Sequence, residues 1–336
     1  MAVNNFLPFA GSAGSNVLTQ AEYAALPSRT SGFAAGVAKS AELNKVWRQS
    51  SIIAAVIGQL INDSTGQDAL DDGTTATLLA NLKASIKSQS LGVVGSARNL
   101  SMQVAAASAT ATLTADEIIV ESALGGLTYR LASFSKTINL ATTGAGGMDT
   151  GTVPANGYVA LYAIYNPTTG ASALLAVNAT SVVAPEVYGG ANMPSGYTAS
   201  ALVSVWRTAS SQFVAGYQFG RQFSSNGISA ATTSVAIASY TAVDISATVP
   251  RNAKFIWGDA SVRGTSPDSL AVTLAANNLG FGSRQTALTS ASGGNSYSNT
   301  SFPGLPLITP QTVYWRVSIN TGTLTSAGFT ISQYEF

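Results

Sequence analysis

The 336-residue chain sets sixteen Lys and Arg against fifteen Asp and Glu, for a formal net charge of +1, and only 9% of its residues are charged. An ordinary soluble domain has roughly 25%, and here both signs are spread evenly, so no basic patch points to nucleic acid or to an anionic membrane. With no cysteine and no histidine, disulfide stapling, thiol catalysis, the usual zinc sites and Ser-His-Asp chemistry are all excluded.

Residues 1–38 carry Gly11, Gly14, Gly32 and Gly36 among short apolar patches such as Phe6-Leu7-Pro8-Phe9. The pattern predicts an irregular arm lying on another surface, anchored by Tyr23, Leu26 and Phe33. A short helix is expected around residues 19–26, with Thr19 as its N-cap. No basic segment followed by an apolar core opens the chain, so no signal peptide is expected.

Residues 40–62 predict a long helix. Leu43, Val46, Ile53, Ile57 and Leu60 fall on one seam in steps of three and four, with Ser50 the polar member. That is coiled-coil spacing, and Ile52, Val56 and Ile61 widen the apolar stripe beyond a strict seam. Burying five such side chains is worth on the order of 10 kcal/mol gross. Ordering some twenty residues costs ~1–2 kcal/mol each, so the helix needs partners, either in its own chain or in identical copies. Its longest apolar run, residues 52–61, contains Gln59 and is too short to span a bilayer, so no membrane insertion is expected.

Gly66 is placed to end this helix. A second is expected over residues 75–88, with Leu78, Leu79, Leu82 and Ile86 on one face and Asp71 and Asp72 near its positive end. From about Leu91 the pattern turns to β. Residues 100–104, 117–121 and 127–131 read as strands, the last two a hairpin. Residues 144–147 read as a mobile loop. Residues 158–165 and 201–206 are apolar enough for central strands. In the last block, residues 253–263, 270–274, 313–319 and 329–336 read as strands, with Val313, Trp315, Val317 and Ile319 facing one way. The Gly-, Asn-, Ser- and Pro-rich residues 277–310 read as loops. The fold expected is mainly β with an N-terminal helical segment, divided at residues 1–90, 91–225 and 226–336, the last a β-sandwich or jelly roll.

Chemistry is sparse. Asp149-Thr150-Gly151 matches the aspartic-protease triplet but sits in loop context with no second copy. Ser133 and Lys136 match a Ser-x-x-Lys pair, which needs a helix to share a face. Asp68, Asp71 and Asp72 lack cation-loop spacing. Asp244, Asp259 and Asp268 are the carboxylates a glycosidase reaction would draw on. No catalytic, cofactor or metal residue is assigned, and no enzyme activity is expected.

Phe6-Leu7-Pro8-Phe9-Ala10, residues 16–25, residues 36–50 with their core Ala41-Glu42-Leu43-Asn44-Lys45-Val46-Trp47, and residues 78–83 resemble the N-terminal region of tail fibre proteins from tailed bacteriophages and prophages of Gram-negative hosts. Residues 156–170 and 193–199 resemble a middle domain of that family. The resemblance implies an elongated homotrimer with a short trimeric coiled coil followed by β-sandwich-like domains. It further implies attachment of residues 1–90 to tail-tip or baseplate proteins, and a C-terminal region that binds a bacterial surface glycan or pilus. Such a protein is assembled in the host cytoplasm and resides on the distal tail of the virion. Arg284, Tyr297 and Asn299, a charge, a ring and an amide, are the receptor-contact candidates. A glycan-degrading tailspike and the fibre of a phage-tail-like bacteriocin are the competing readings.

Overall fold

The computed structural model describes residues 2–88, 92–265, 269–289 and 294–336. The protein is mainly β, 45% strand and 15% helix, with antiparallel sheets. It divides into two compact units: residues 1–91 together with 127–129, and residues 92–126 together with 130–336.

Among the described residues the first unit is built on the helices α1 (Gln20–Ala25), α2 (Ser28–Ser31), α3 (Ser40–Thr65) and α4 (Ala76–Ser88). Thr19 caps α1 with a reciprocal box: its hydroxyl accepts from Glu22 N at 3.2 Å while Glu22 Oε2 accepts from Thr19 N at 2.8 Å. The Thr19 bonds, backbone first, hold the Glu22 carboxyl below its usual range. Gly66 ends α3 in the left-handed region at φ 68°, its N–H reaching Asn62 O. Asp71 and Asp72 lie outside the first turn of α4; Asp72 instead accepts from the Thr74 amide at 2.8 Å and its hydroxyl at 2.7 Å.

The arm runs antiparallel to α3. Leu18 N donates to Ala41 O at 3.4 Å, Asn44 Nδ2 to Asn16 O at 2.8 Å, Phe9 N to Ser51 Oγ at 2.8 Å and Asn4 Nδ2 to Ala55 O at 3.0 Å. Phe9 packs edge-on against Trp47 with ring centroids 5.7 Å apart, and Lys45 lies 5.8 Å from the Tyr23 ring. Phe33, expected as an anchor, is instead 53% exposed. Gly32 beside it ends α2 with φ 76°.

In the second unit the chain runs through β1 (Ala97–Arg98), β2 (Ser101–Val104), β3 (Thr110–Glu121), β4 (Thr128–Asn139), β5 (Gly157–Tyr165), β6 (Ser172–Asn178), β7 (Ala199–Ala209), β8 (Gln212–Phe213) and β9 (Gly216–Phe219). It continues through β10 (Gln222–Thr233), β11 (Ile237–Asp244), β12 (Phe255–Thr265), β13 (Ser269–Ala275), β14 (Arg284–Thr289), β15 (Asn295–Pro306), β16 (Thr312–Ile319) and β17 (Thr323–Glu335). One sheet has the order β15-β12-β17-β10-β9-β2-β3-β7-β5-β6, and a second has β11-β16-β13-β14. β5 and β7 are buried almost throughout, which explains their continuous apolar sequences.

Aromatic rings tie the large sheet together. Trp206 of β7 meets Phe213 at 6.1 Å and Phe223 at 4.6 Å, and Phe223 stacks on Tyr334 of β17 at 4.8 Å. The Tyr334 hydroxyl donates to Val205 O at 2.6 Å. Position 226, where a third block was expected to begin, falls inside β10, which pairs with both β9 and β17. Across the second sheet, Val313, Trp315 and Val317 are buried as their alternation predicts, and Trp315 meets Phe329 of β17 at 5.8 Å. Residues 144–147 are not a free loop. Gly146 N donates to Leu174 O at 2.7 Å and Ala176 N to Gly147 O at 2.8 Å, which buries Met148.

Candidate functional site

Two surfaces stand out, one in each unit. The first is the apolar side of α3. The arm covers the face carrying Ala41, Asn44, Ser51 and Ala55. Ile61 is fully buried, and buried Ser64 hydrogen-bonds Ser85 of α4 at 2.5 Å. The opposite stripe is bare: Ile53 and Val56 are each 61% exposed, Leu60 39% and Ile57 36%, with Ile52 exposed beside them. Leu43 and Val46, the first two members of the predicted seam, are half-buried. The open stripe therefore begins at the fourth turn of α3. It is continued by Leu79 and Ile86 of α4, both exposed.

Between α3, α4 and the arm, Phe6, Ala54, Ile57, Leu78, Leu79 and Leu82 line an apolar groove of about 400 Å³. Ile57 thus belongs to the groove as well as to the seam. Gly58 lies on its floor, where a Cβ would collide with the Asn4 amide.

The second surface is the outer face of β15 and β12. Residues 277–310 were expected to be loops, yet Arg284 lies on β14, and Tyr297 and Asn299 on β15. The reason is that the outward residues of β15 are polar while the inward ones are small up to Phe302. The period-two signal is hidden in a run of Ser, Asn and Thr. Register places Tyr297 beside Arg263, Asn299 beside Ser261 and Ser301 beside Asp259. Tyr297 is 56% exposed, with the Arg263 guanidinium 5.2 Å from its ring centre. Ser301 Oγ donates to Asp259 Oδ1 at 2.6 Å.

Arg284 is engaged elsewhere. Its Nη2 donates to Gly304 O at 3.0 Å and its Nη1 to Gly282 O at 3.1 Å, which ties the loop before β14 to the β15 backbone rather than leaving a free contact. Arg263 was not singled out from the sequence. Nothing local marks it; the β12–β15 register puts it over the Tyr297 ring.

The motif matches dissolve into structure. Asp149 Oδ2 accepts from the Tyr188 hydroxyl at 2.9 Å and its Oδ1 from Thr150 N at 2.8 Å. Burial, with the Asp149 bond adding to it, raises the Tyr188 phenol's pKa, though the Asn192 N–H pulls the other way. Ser133 and Lys136 lie on strand β4. Asp68 accepts from Val3 N at 2.7 Å. Asp244 accepts from Ser246 N at 2.8 Å, which lowers its carboxyl pKa. Asp268 lies outside the described residues.

No protein-family model matches the chain, and no curated protein matches it either. Among solved structures, an arabinose-bound α-L-arabinofuranosidase (MgGH51) is 13% identical over 37% of this chain and 19% of that chain, with a TM-score of 0.18. Infectious bursal virus-derived T=1 particles are 10% identical over 73% of this chain and 67% of that chain, with a TM-score of 0.20. Likeness at this level carries no argument about what the protein does.

Proposed function

We propose that the chain is a structural attachment protein, a tail fibre of a tailed phage or phage-like particle. It assembles as a homotrimer through α3 and contacts a bacterial surface glycan or pilus through the outer face of β12 and β15. In this reading residues 1–90 join tail-tip or baseplate proteins, and the β-rich remainder forms sandwich-like domains without catalytic work.

The observation that carries the proposal is the bare stripe Ile53, Val56, Ile57 and Leu60. With Ile52 it spans an arc of about 140° at 3.6 residues per turn. That is wider than the narrow seam of a two-stranded coil and suits burial between two neighbours at once. Covering what remains exposed is worth roughly 1 kcal/mol per side chain, repeated in every copy.

The ring of Tyr297 under Arg263, flanked by Asn299 and Ser261, offers a stacking platform with hydrogen-bonding edges, the chemistry that sugars and pilin loops use. The test is adsorption competition. Purified protein should block adsorption of the particle to host cells, and Tyr297→Ala with Arg263→Ala should lose that block while keeping its oligomeric mass. Unchanged competition by the double variant would remove the receptor role from this face.

A further inference from the structure

A second polar site lies away from β15, in a cleft of about 410 Å³ lined by Arg207 of β7, Tyr158 of β5, Thr180, Ser181, Arg251 and Gln311 among others. Arg207 stands directly across from Tyr158 in the β5–β7 register. Among the described residues neither Arg207 nor Arg251 has an ion pair or a hydrogen bond to its guanidinium. Both guanidinium groups line one cleft and neither is held in an ion pair, so an anion could bridge them. Asp244 is the carboxylate that senses Arg251, and its Oδ1 is already taken by Ser246 N.

The walls are fixed before anything binds. Asn252 bridges to Ala184 with two bonds, accepting from its N–H at 2.9 Å and donating to its carbonyl at 2.8 Å. Gln311 Nε2 donates to Val249 O at 2.9 Å, Thr208 Oγ1 to Pro154 O at 2.9 Å, and the Tyr158 hydroxyl to Ser246 O at 3.0 Å. Tyr158 is buried and serves as wall, while the exposed Ser181 hydroxyl and the Thr180 hydroxyl, which accepts from Tyr158 N at 3.1 Å, can still pair with a hydroxylated ligand. The volume is at the small end of ligand pockets, enough for one ring and its substituents.

We propose that this cleft binds a single acidic sugar residue, its carboxylate or phosphate held between Arg207 and Arg251 and its hydroxyls by the polar rim. The site is independent of the trimer and of the β12–β15 face, so its test does not depend on either.

The experiment is calorimetric titration of the full-length protein at low salt with glucuronate and with glucose 1-phosphate, and with glucose and inorganic phosphate as controls. The expected result is saturable binding of at least one acidic sugar in the low-millimolar range or tighter, weakened by added salt, with no binding of glucose. Which acid binds distinguishes a carboxylated from a phosphorylated glycan. Arg251→Gln should weaken that binding about tenfold or more, the loss of one charge-assisted contact. Arg251 is exposed and in no ion pair among the described residues, so this variant should keep the native unfolding temperature. Failure of both acidic sugars to saturate, equal binding by Arg251→Gln, or inorganic phosphate binding as tightly as either sugar would overturn the assignment.

Discussion

Gly58 sets how closely the N-terminal arm approaches α3. Asn4 donates through Nδ2 to Ala55 O and accepts through Oδ1 from Phe6 N, the latter at 3.0 Å. Any side chain at position 58 would occupy the space of that amide. Gly58→Ala is therefore expected to cost about 1–3 kcal/mol, as overpacking does, although alanine favours helix by up to ~1 kcal/mol. Limited proteolysis should show residues 2–18 cut faster, and an unchanged digestion rate would mean that the arm is held by other contacts. The tyrosines give a second residue-scale prediction. Burial raises the Tyr158, Tyr162 and Tyr334 phenols above the ordinary value of 10.0. The folded chain then keeps protons that the unfolded chain loses above that value, so stability should fall as pH rises past about 10. An absorbance titration should show these rings ionising only with unfolding.

At the scale of elements, α1, α3, α4 and the buried strands β5, β7 and β16 were legible in the sequence because one physical demand governed each of them, whereas α2 and β6 were not anticipated. Thr19, Gly66 and the three-four spacing of α3 each require a particular backbone, and β5, β7 and β16 show burial directly in their apolar residues. The outer strands were not legible. β14 and β15 carry Ser, Asn, Thr and Gly on a polar face, and their strand character depends on pairing partners distant in sequence. Gly258 belongs to the same class: β12 shifts register there against β15 and β17, and a side chain would strike the Thr330 carbonyl. The site residues divide the same way. Ile53, Ile57 and Leu60 were readable from periodicity, whereas Arg263, Arg207 and Arg251 acquire meaning only from register and loop packing. Trp315 of the second sheet packs on Phe329 of β17, and both are buried. Trp315→Ala should cost about 3–5 kcal/mol and lower the unfolding temperature of the β unit by roughly 10 °C. A calorimetric shift of only a degree or two would place the core elsewhere.

For the whole molecule, the account turns on the apolar stripe of α3 that the single chain leaves uncovered. A stripe with Ile53 and Val56 both mostly exposed is a poor surface for an isolated chain in water and a good one between copies of itself. Ile53→Glu with Val56→Glu touches this stripe alone, since neither residue lines the groove that Ile57 shares with α4. The double variant should dissociate the assembly and leave the β unit's unfolding transition in place. The most direct measurement is the mass of the purified protein by sedimentation equilibrium. The account predicts three times the 34.1 kDa chain mass, reduced by the double variant, and a monodisperse species of one chain mass would contradict it.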